Sequence, residues 1–230
     1  MISALEQIAP IERVTLGDRV HDELCHLLMV GRLKPGEKLS LRNVAKTMGV
    51  SMMPVREAVT RLVADEALVV SPNRAVSVPI MTLSKLREIT LIRCEIEGFA
   101  AAQAALNRTE RDLKRIRSLD DQFRRGLEPQ SASTEKSLKL NKELHFAIYE
   151  AAKLPLLCSI IEGLWLKVGP VINLDFGSSM QRLRSGESER FHALTVAAIA
   201  EGNAEAARAG LVADISGSSG YIQSTGALPD

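Results

Sequence analysis

The stretch that decides the fold is residues 49–62, which read GVSMMPVREAVTRL. Gly49 can adopt the positive φ of a tight turn, and Ser51 is a good helix N-cap. Pro54 falls in the first turn of the predicted helix, where its missing N–H costs little. Apolar residues then recur on one face of that helix, at Val55, Val59 and Leu62. The stretch therefore predicts a turn followed by a short amphipathic helix.

The flanking residues extend this into a winged helix-turn-helix. A helix over 41–48 begins after Ser40, so the pair forms a helix-turn-helix whose second helix would enter a DNA major groove. A further amphipathic helix is predicted upstream over 16–30. Two β-rich segments separated by turn residues follow the pair, at 67–71 and 75–79. Together these elements predict three helices and a hairpin that forms a wing.

The remainder of the chain shows helical periodicity and no alternation typical of strands. Thr109 and Asp112 have the spacing of a capping box. Six helices are predicted, over 82–106, 109–126, 134–153, 155–173, 188–201 and 203–215. The fold class is therefore mainly α, an N-terminal winged helix-turn-helix followed by an antiparallel helical bundle. The predicted divisions are a winged helix-turn-helix domain at 1–81, an all-helical domain at 82–220, and a flexible tail at 221–230.

Composition limits the class of protein without naming a function. The chain has 230 residues and a net charge of +1, so it lacks the global charge of a nucleic-acid binder. Residues 42–74 hold five Lys and Arg against three Asp and Glu, a local basic bias. The three scattered cysteines fit buried thiols in a reducing compartment. With no signal peptide and no apolar run of transmembrane length, we expect a cytoplasmic protein without a membrane partner. The first dozen residues and the chain from about Ser216 look loosely ordered.

A family resemblance rests on the ordered run GRLKPGEKLS (31–40), GVS (49–51) and PVREA (54–58). It resembles the N-terminal domain of the GntR-type bacterial transcription regulators, over residues 14–80. The resemblance implies a homodimer that binds operator DNA. It also implies DNA contacts from the second helix, the cap of the third helix, the third helix and the wing, at Arg42, Ser51, Met52, Arg56, Asn73 and Arg74.

Two positions depart from the family pattern. Met52 stands where the family usually has arginine or lysine, and Ala75 stands where the wing tip often has glycine. Loss of a cation at a groove-facing position should remove one charge-assisted contact and about one unit of salt slope. An apolar side chain there would favour contact with thymine methyl groups.

The second half resembles the FCD ligand-sensing domain of the FadR-type branch of that family, in its shorter six-helix variant. This resemblance implies that residues 82–220 bind the effector and form the dimer, while residues 1–81 bind DNA. The matching residues are RCEIE (93–97), LHFAI (144–148), FHAL (191–194) and GNAEAA (202–207). Many family members bind a divalent metal inside this bundle through one Asp and three His. The matching positions in this chain are Asn141, His145, His192 and Asp214.

Two of these four positions are substituted relative to the family. Two imidazoles and one carboxylate still form a competent set for zinc, with nickel or manganese also open, and the Asn141 oxygen is a weak fourth ligand. We expect zinc. The alternative is that His145 and His192 are core histidines hydrogen-bonded across helices, and that Asp214 pairs with one of them.

The resemblance also implies a small carboxylate effector, an organic or sugar acid, beside the metal. Arg93 matches a cavity-lining position, where it could bind a carboxylate with two hydrogen bonds. Its alternative role is an ion pair with Glu97 one turn later. Asn173 and Arg182 are further candidate effector-binding residues.

Three functions remain open on the sequence alone. The first is a ligand-responsive transcription regulator, which acts as a repressor in the family's common mode. The second is a regulator whose metal and effector site has decayed. The third is a small metal-dependent hydrolase that uses a metal-bound water, which would leave the winged helix-turn-helix unexplained.

Overall fold

A computed structural model of the protein describes residues 14–127, 133–177 and 186–230. The N-terminal head consists of three helices and a small sheet, and the predicted winged helix-turn-helix is confirmed. Its helices are α1 (Leu16–Met29), α2 (Leu41–Met48) and α3 (Met52–Ala64). Its strands are β1 (Lys38–Leu39), β2 (Val69–Val70) and β3 (Val76–Ser77).

The turn between α2 and α3 forms for the reason that the sequence suggested. Gly49 ends α2 with a φ of 65°, which glycine adopts without the steric cost that other residues bear. Ser40 caps α2, since its side chain accepts a hydrogen bond from the backbone N–H of Asn43. Ser51 occupies the N-cap of α3, but its hydroxyl makes no capping hydrogen bond.

The wing is a three-stranded antiparallel sheet in the order β1-β3-β2. β3 is central and pairs with both neighbours, so that Val76 lies opposite Leu39 on one side and Val70 on the other. The sequence predicts only the hairpin of β2 and β3. β1 was not predicted, because its pairing partner β3 is distant in the chain.

The bundle contains six helices within the described residues, as predicted. They are α4 (Leu83–Asn107), α5 (Glu110–Gly126), α6 (Thr134–Ala151), α7 (Pro155–Gly177), α8 (Glu187–Glu201) and α9 (Ala204–Ser224). Thr82 caps α4, and Thr109 and Asp112 form the predicted capping box at the start of α5. α4 lies at the centre and packs against α6, α7, α8 and α9.

The C-terminal residues correct two expectations. α9 continues to Ser224 rather than ending near Ile215, so the chain from about Ser216 is not loosely ordered. Leu228 is buried in the core, and the backbone N–H of Leu83 donates to the carbonyl of Pro229. The end of the chain is therefore attached to the start of α4 through Pro229 rather than forming a flexible tail.

α7 contains a long apolar stretch that was not predicted. Residues Pro155–Ile172 have a mean hydropathy of 1.5 and are long enough to cross a membrane. The expectation that the chain has no apolar run of transmembrane length is therefore wrong. Nearly half of this stretch is buried inside the protein, and α7 packs against α1, α4, α6 and α9. Its hydropathy is explained by this position between the head and the bundle.

The three cysteines are free thiols, but the expectation that they are buried holds only for Cys25, since Cys94 and Cys158 are half-buried. Cys25 is buried in α1, and burial raises the pKa of its thiol to about 12, which keeps it protonated and unreactive.

Candidate metal centre and DNA-reading surface

Three buried side chains converge on one point inside the bundle: His145 of α6, His192 of α8 and Asp214 of α9. The two Nε2 atoms lie 3.2 Å apart. Asp214 Oδ2 lies 3.3 Å from His145 Nε2 and 3.5 Å from His192 Nε2. Ligand atoms bound tetrahedrally at about 2.0–2.1 Å from zinc are separated by about 3.3–3.4 Å. The triangle therefore has the size of one face of a zinc coordination tetrahedron.

The protonation states of this group also suit a metal. All three side chains are almost fully buried. Burial lowers the pKa of His145, which favours the neutral imidazole that metals bind. Burial alone would raise the pKa of Asp214, but the two neighbouring imidazoles hold it well below its ordinary value, so it is a carboxylate. Two imidazoles and one carboxylate fit a divalent transition metal.

A hydrogen-bonded chain behind His145 orients it toward the triangle. Tyr149 lies one turn later on α6, and its oxygen is 2.9 Å from His145 Nδ1. The same hydroxyl donates its only proton to the Glu97 carboxylate in a short hydrogen bond. His145 Nδ1 must therefore carry a proton and donate to Tyr149, which leaves the Nε2 lone pair facing His192 and Asp214.

Arg93 makes the ion pair with Glu97 that was the alternative to an effector contact. Its Nε donates to Glu97 Oε1 at 2.6 Å, and a terminal nitrogen donates to Oε2 at 3.2 Å. The Trp165 indole N–H also donates to Glu97 Oε2, at 3.2 Å, and the guanidinium stacks 5.2 Å from the indole. Arg93 is 6% exposed, so this pair is buried rather than on the surface. Its contact with an effector stays a prediction.

The remaining predicted site residues are one metal ligand, Asn141, and two effector-binding residues, Asn173 and Arg182. Asn141 is buried one turn before His145 on α6, and its role as a fourth ligand stays a prediction. Asn173 lies in the last part of α7, where only the backbone is described. Arg182 lies outside the described residues.

Five of the six predicted DNA-contacting side chains are exposed. The exposed ones are Arg42, Ser51, Arg56, Asn73 and Arg74. Met52 differs from these because it is half-buried and packs against the core. The next residue, Met53, is 74% exposed, so it offers more apolar surface at the start of α3 than Met52 does.

The wing tip holds an arginine in a conformation that favours glycine. Arg74 has a φ of 63°, which costs a non-glycine residue about 1–3 kcal/mol. The turn is closed by the Arg74 N–H, which donates to the Ser71 carbonyl at 2.8 Å, and by the Ala75 N–H, which donates to Asn73 Oδ1. Arg74 therefore places an exposed cation in the turn between β2 and β3.

The sequence reading missed two residues of the metal centre. Tyr149 could have been found, because it follows His145 by four residues on a helix and must face the same way. Trp165 reaches the centre from α7, and no spacing in the sequence connects it with His145.

Comparisons with known proteins match the head and the bundle to two different family models. Residues 16–78 match the family model described as bacterial regulatory proteins, gntR family, and residues 88–216 match the FCD domain model. The HTH-type transcriptional regulator McbR of Escherichia coli is 35% identical over 187 residues, which cover 81% of this chain and 84% of that protein. The uncharacterized HTH-type transcriptional regulator YdhC of Bacillus subtilis is 26% identical over 125 residues, which cover 54% of this chain and 55% of that protein.

Solved structures show the same similarity. The structure of E. coli McbR/YncC superposes with a TM-score of 0.86 at 32% sequence identity and covers 93% of this chain and 99% of its own. A structure from Rhodococcus sp. RHA1 has a TM-score of 0.72 at 20% identity, and it covers 90% of this chain and 97% of its own. The second likeness concerns the fold alone.

Proposed function

Since the chain belongs to the GntR family of bacterial regulatory proteins and carries an FCD domain, we propose that its bundle senses a small organic or sugar acid through a divalent metal. The protein is an HTH-type transcriptional regulator, and its relatives are regulators rather than enzymes. The hydrolase alternative is therefore set aside. The observation that carries the proposal is the convergence of His145, His192 and Asp214 inside the FCD domain.

These three side chains would hold the ion, with Asn141 as a fourth ligand. Zinc suits them best because two imidazoles and a carboxylate are a common zinc set, and nickel or manganese also accept them. When bound, such an ion supplies open coordination positions that a carboxylate effector can occupy. Sensing requires only reversible binding of the effector to the ion.

The head would bind operator DNA in the cytoplasm. The exposed cations Arg42 and Arg56 lie on the two helices of the helix-turn-helix, and Arg74 projects from the wing. Ser51 has a hydroxyl that makes no capping hydrogen bond, and this supports a phosphate contact. We place the boundary between head and sensing domain at residues 81 and 82.

The functional unit would be a homodimer, because two heads are needed to read two half-sites. α4 supports this with exposed apolar residues on one side of the helix, at Leu91, Ile92, Phe99 and Leu106. Exposed apolar groups clustered on one face are typical of protein–protein contacts. Sedimentation of the purified protein should give a dimer, and a monomer at micromolar concentration would refute this part of the proposal.

α7 would carry the signal from the bundle to the head. Trp165 donates to Glu97 behind the metal centre. Half a turn later, Lys167 donates to the Asp65 carbonyl and to the Glu66 carboxylate, both of which follow α3 in the head. An effector that favours one position of α7 would change the placement of the head, and so its affinity for DNA. Repression is the proposed mode.

The experiment has two stages. Selection from a random double-stranded DNA library would identify a fragment that the full-length protein binds. The affinity for this fragment would then be measured with zinc-loaded protein in the presence of individual organic and sugar acids. At least one acid should change the affinity about 5-fold or more, the usual range of allosteric coupling. If no acid changes the affinity of the zinc-loaded protein, the sensing proposal is wrong and a decayed site is favoured.

A further inference from the structure

The two histidines of the metal centre differ in what lies behind them. His145 Nδ1 donates to Tyr149, as described above. His192 is 2% exposed, and its Nδ1 has no hydrogen-bond partner among the described residues. Buried polar groups are nearly always paired, so this orphan nitrogen calls for a partner. Histidines that bind metal almost always donate their other N–H to a carboxylate, a carbonyl or water.

Asp120 of α5 presents the complementary orphan. It is 3% exposed, and its Oδ2 lies 3.2 Å from a terminal nitrogen of Arg124. Its Oδ1 is buried and, within the part of the chain that is described, accepts no hydrogen bond. A buried carboxylate oxygen without a hydrogen bond costs free energy of folding. A hydrogen bond donated to this oxygen would remove that cost.

Asp120 and His192 lie on two helices, α5 and α8, that pack against each other. Phe123 lies three residues after Asp120, on the same side of α5. Its ring packs on the imidazole of His192, with ring centroids 4.7 Å apart. Burial raises the pKa of Asp120, and the charges of Arg124 and His192 oppose that rise.

We infer that Asp120 is the outer hydrogen-bond acceptor of the metal centre, and that it receives the Nδ1–H of His192 when His192 Nε2 holds the ion. This inference rests on the proposed metal site. Each imidazole would then donate its Nδ1–H to an outer acceptor. His145 donates to Tyr149, which donates to the Glu97 carboxylate, and His192 would donate to the Asp120 carboxylate. Asp120 is thus a positioning residue rather than a ligand.

The test measures zinc affinity of the full-length protein by competition with a chromophoric chelator. Asp120→Asn retains the shape with a weaker acceptor, and Asp120→Ala removes the acceptor. The matched control is Asp121→Asn, since Asp121 is the next residue of α5 and its side chain is 54% exposed. We expect the dissociation constant for zinc to rise about 10- to 100-fold in Asp120→Ala, less in Asp120→Asn, and not in Asp121→Asn.

Two further readouts separate positioning from a merely structural role. The melting temperature of the metal-free Asp120→Asn protein should equal or exceed that of the wild type, because the change removes a buried negative charge whose ion-pair partner, Arg124, is partly exposed. In zinc-loaded wild type, ¹⁵N NMR should show His192 Nδ1 protonated and hydrogen-bonded, and this signal should change in Asp120→Ala. Zinc binding that is equal in wild type and both Asp120 variants would overturn the inference. Wild type that binds no zinc would instead refute the proposed metal site.

Discussion

Gly169 of α7 lies directly against the backbone of Leu28 in α1, so that a Cβ on Gly169 would be 2.4 Å from the Leu28 carbonyl oxygen. The head and the bundle are therefore in close backbone contact at this point. Since Trp165 of the same helix donates to Glu97, one helix connects the network behind the metal centre with the DNA-binding head. This arrangement gives the proposed coupling a specific physical element.

Gly169→Ala tests that element. The added methyl cannot be accommodated without separating α7 from α1, so we expect a loss of about 1–3 kcal/mol in the free energy of unfolding. The response of DNA affinity to the effector should weaken as well. The control is Gly163→Ala on the same helix, where an added Cβ meets nothing within 4 Å. That control should be neutral or stabilising, because alanine favours helix. Equal behaviour of the two variants would contradict a close α1–α7 contact.

Tyr149→Phe tests the chain of hydrogen bonds that orients His145. The change leaves the His145 Nδ1–H and one Glu97 interaction unpaired, so zinc affinity should fall about 10-fold or more. The free energy of unfolding should also fall, by about 1–3 kcal/mol. Competition with a chelator measures the first effect and chemical denaturation the second. Tyr221→Phe on α9 is the control, and an equal loss of zinc affinity there would refute the assigned role of Tyr149.

Arg56→Ala tests the DNA-reading surface. An exposed cation that contacts a phosphate adds about one unit to the slope of log affinity against log salt, so the slope should decrease by about one. The selected fragment and a scrambled fragment should be compared over a range of salt concentrations. Lys114→Ala removes an exposed cation from α5 in the bundle and should leave the slope unchanged. A slope that is the same in wild type and Arg56→Ala would exclude this contact.

Asp112 provides a prediction about pH. Burial alone would raise its pKa, but hydrogen bonds from Lys153 and Thr109 hold it at about 2, below the 3.8 of an ordinary Asp. Because the pKa is lower in the folded state, the stabilisation is present above pH 3.8 and is lost as the pH falls toward 2. Asp112→Asn should lower the free energy of unfolding by about 0.5–2 kcal/mol at pH 6, with a smaller difference near pH 2. A difference that does not shrink on acidification would contradict this account.

The sequence predicted the parts of this fold that depend on local signals. Thr82 and Thr109 cap helices where expected, and Gly49 forms the turn that separates α2 from α3. Strand β1 was missed because its identity depends on pairing with β3, which is distant in the chain. The end of α9 was misjudged because its glycines and serines favour a loop locally. Packing against α4 overrides that preference.

The metal centre also depends on contacts between residues that are distant in the chain, which local sequence signals do not predict. His145, His192 and Asp214 come from three separate helices, so periodicity could not bring them together, and only the family resemblance connected them. Residues outside the matched motif, such as Trp165 and Asp120, were not predicted to be near the centre. Their roles depend on which helix faces lie against each other, and that is a property of the tertiary structure.

The most direct test of the central claim is the amount of metal bound by full-length protein purified without a metal-affinity step, measured by elemental analysis. We predict about one divalent ion per chain, with zinc the expected one, and loss of that ion when His145 and His192 are both changed to alanine. If the wild-type protein contains no such ion and takes none up when zinc, nickel or manganese is added, the claim that this bundle senses through a metal is contradicted.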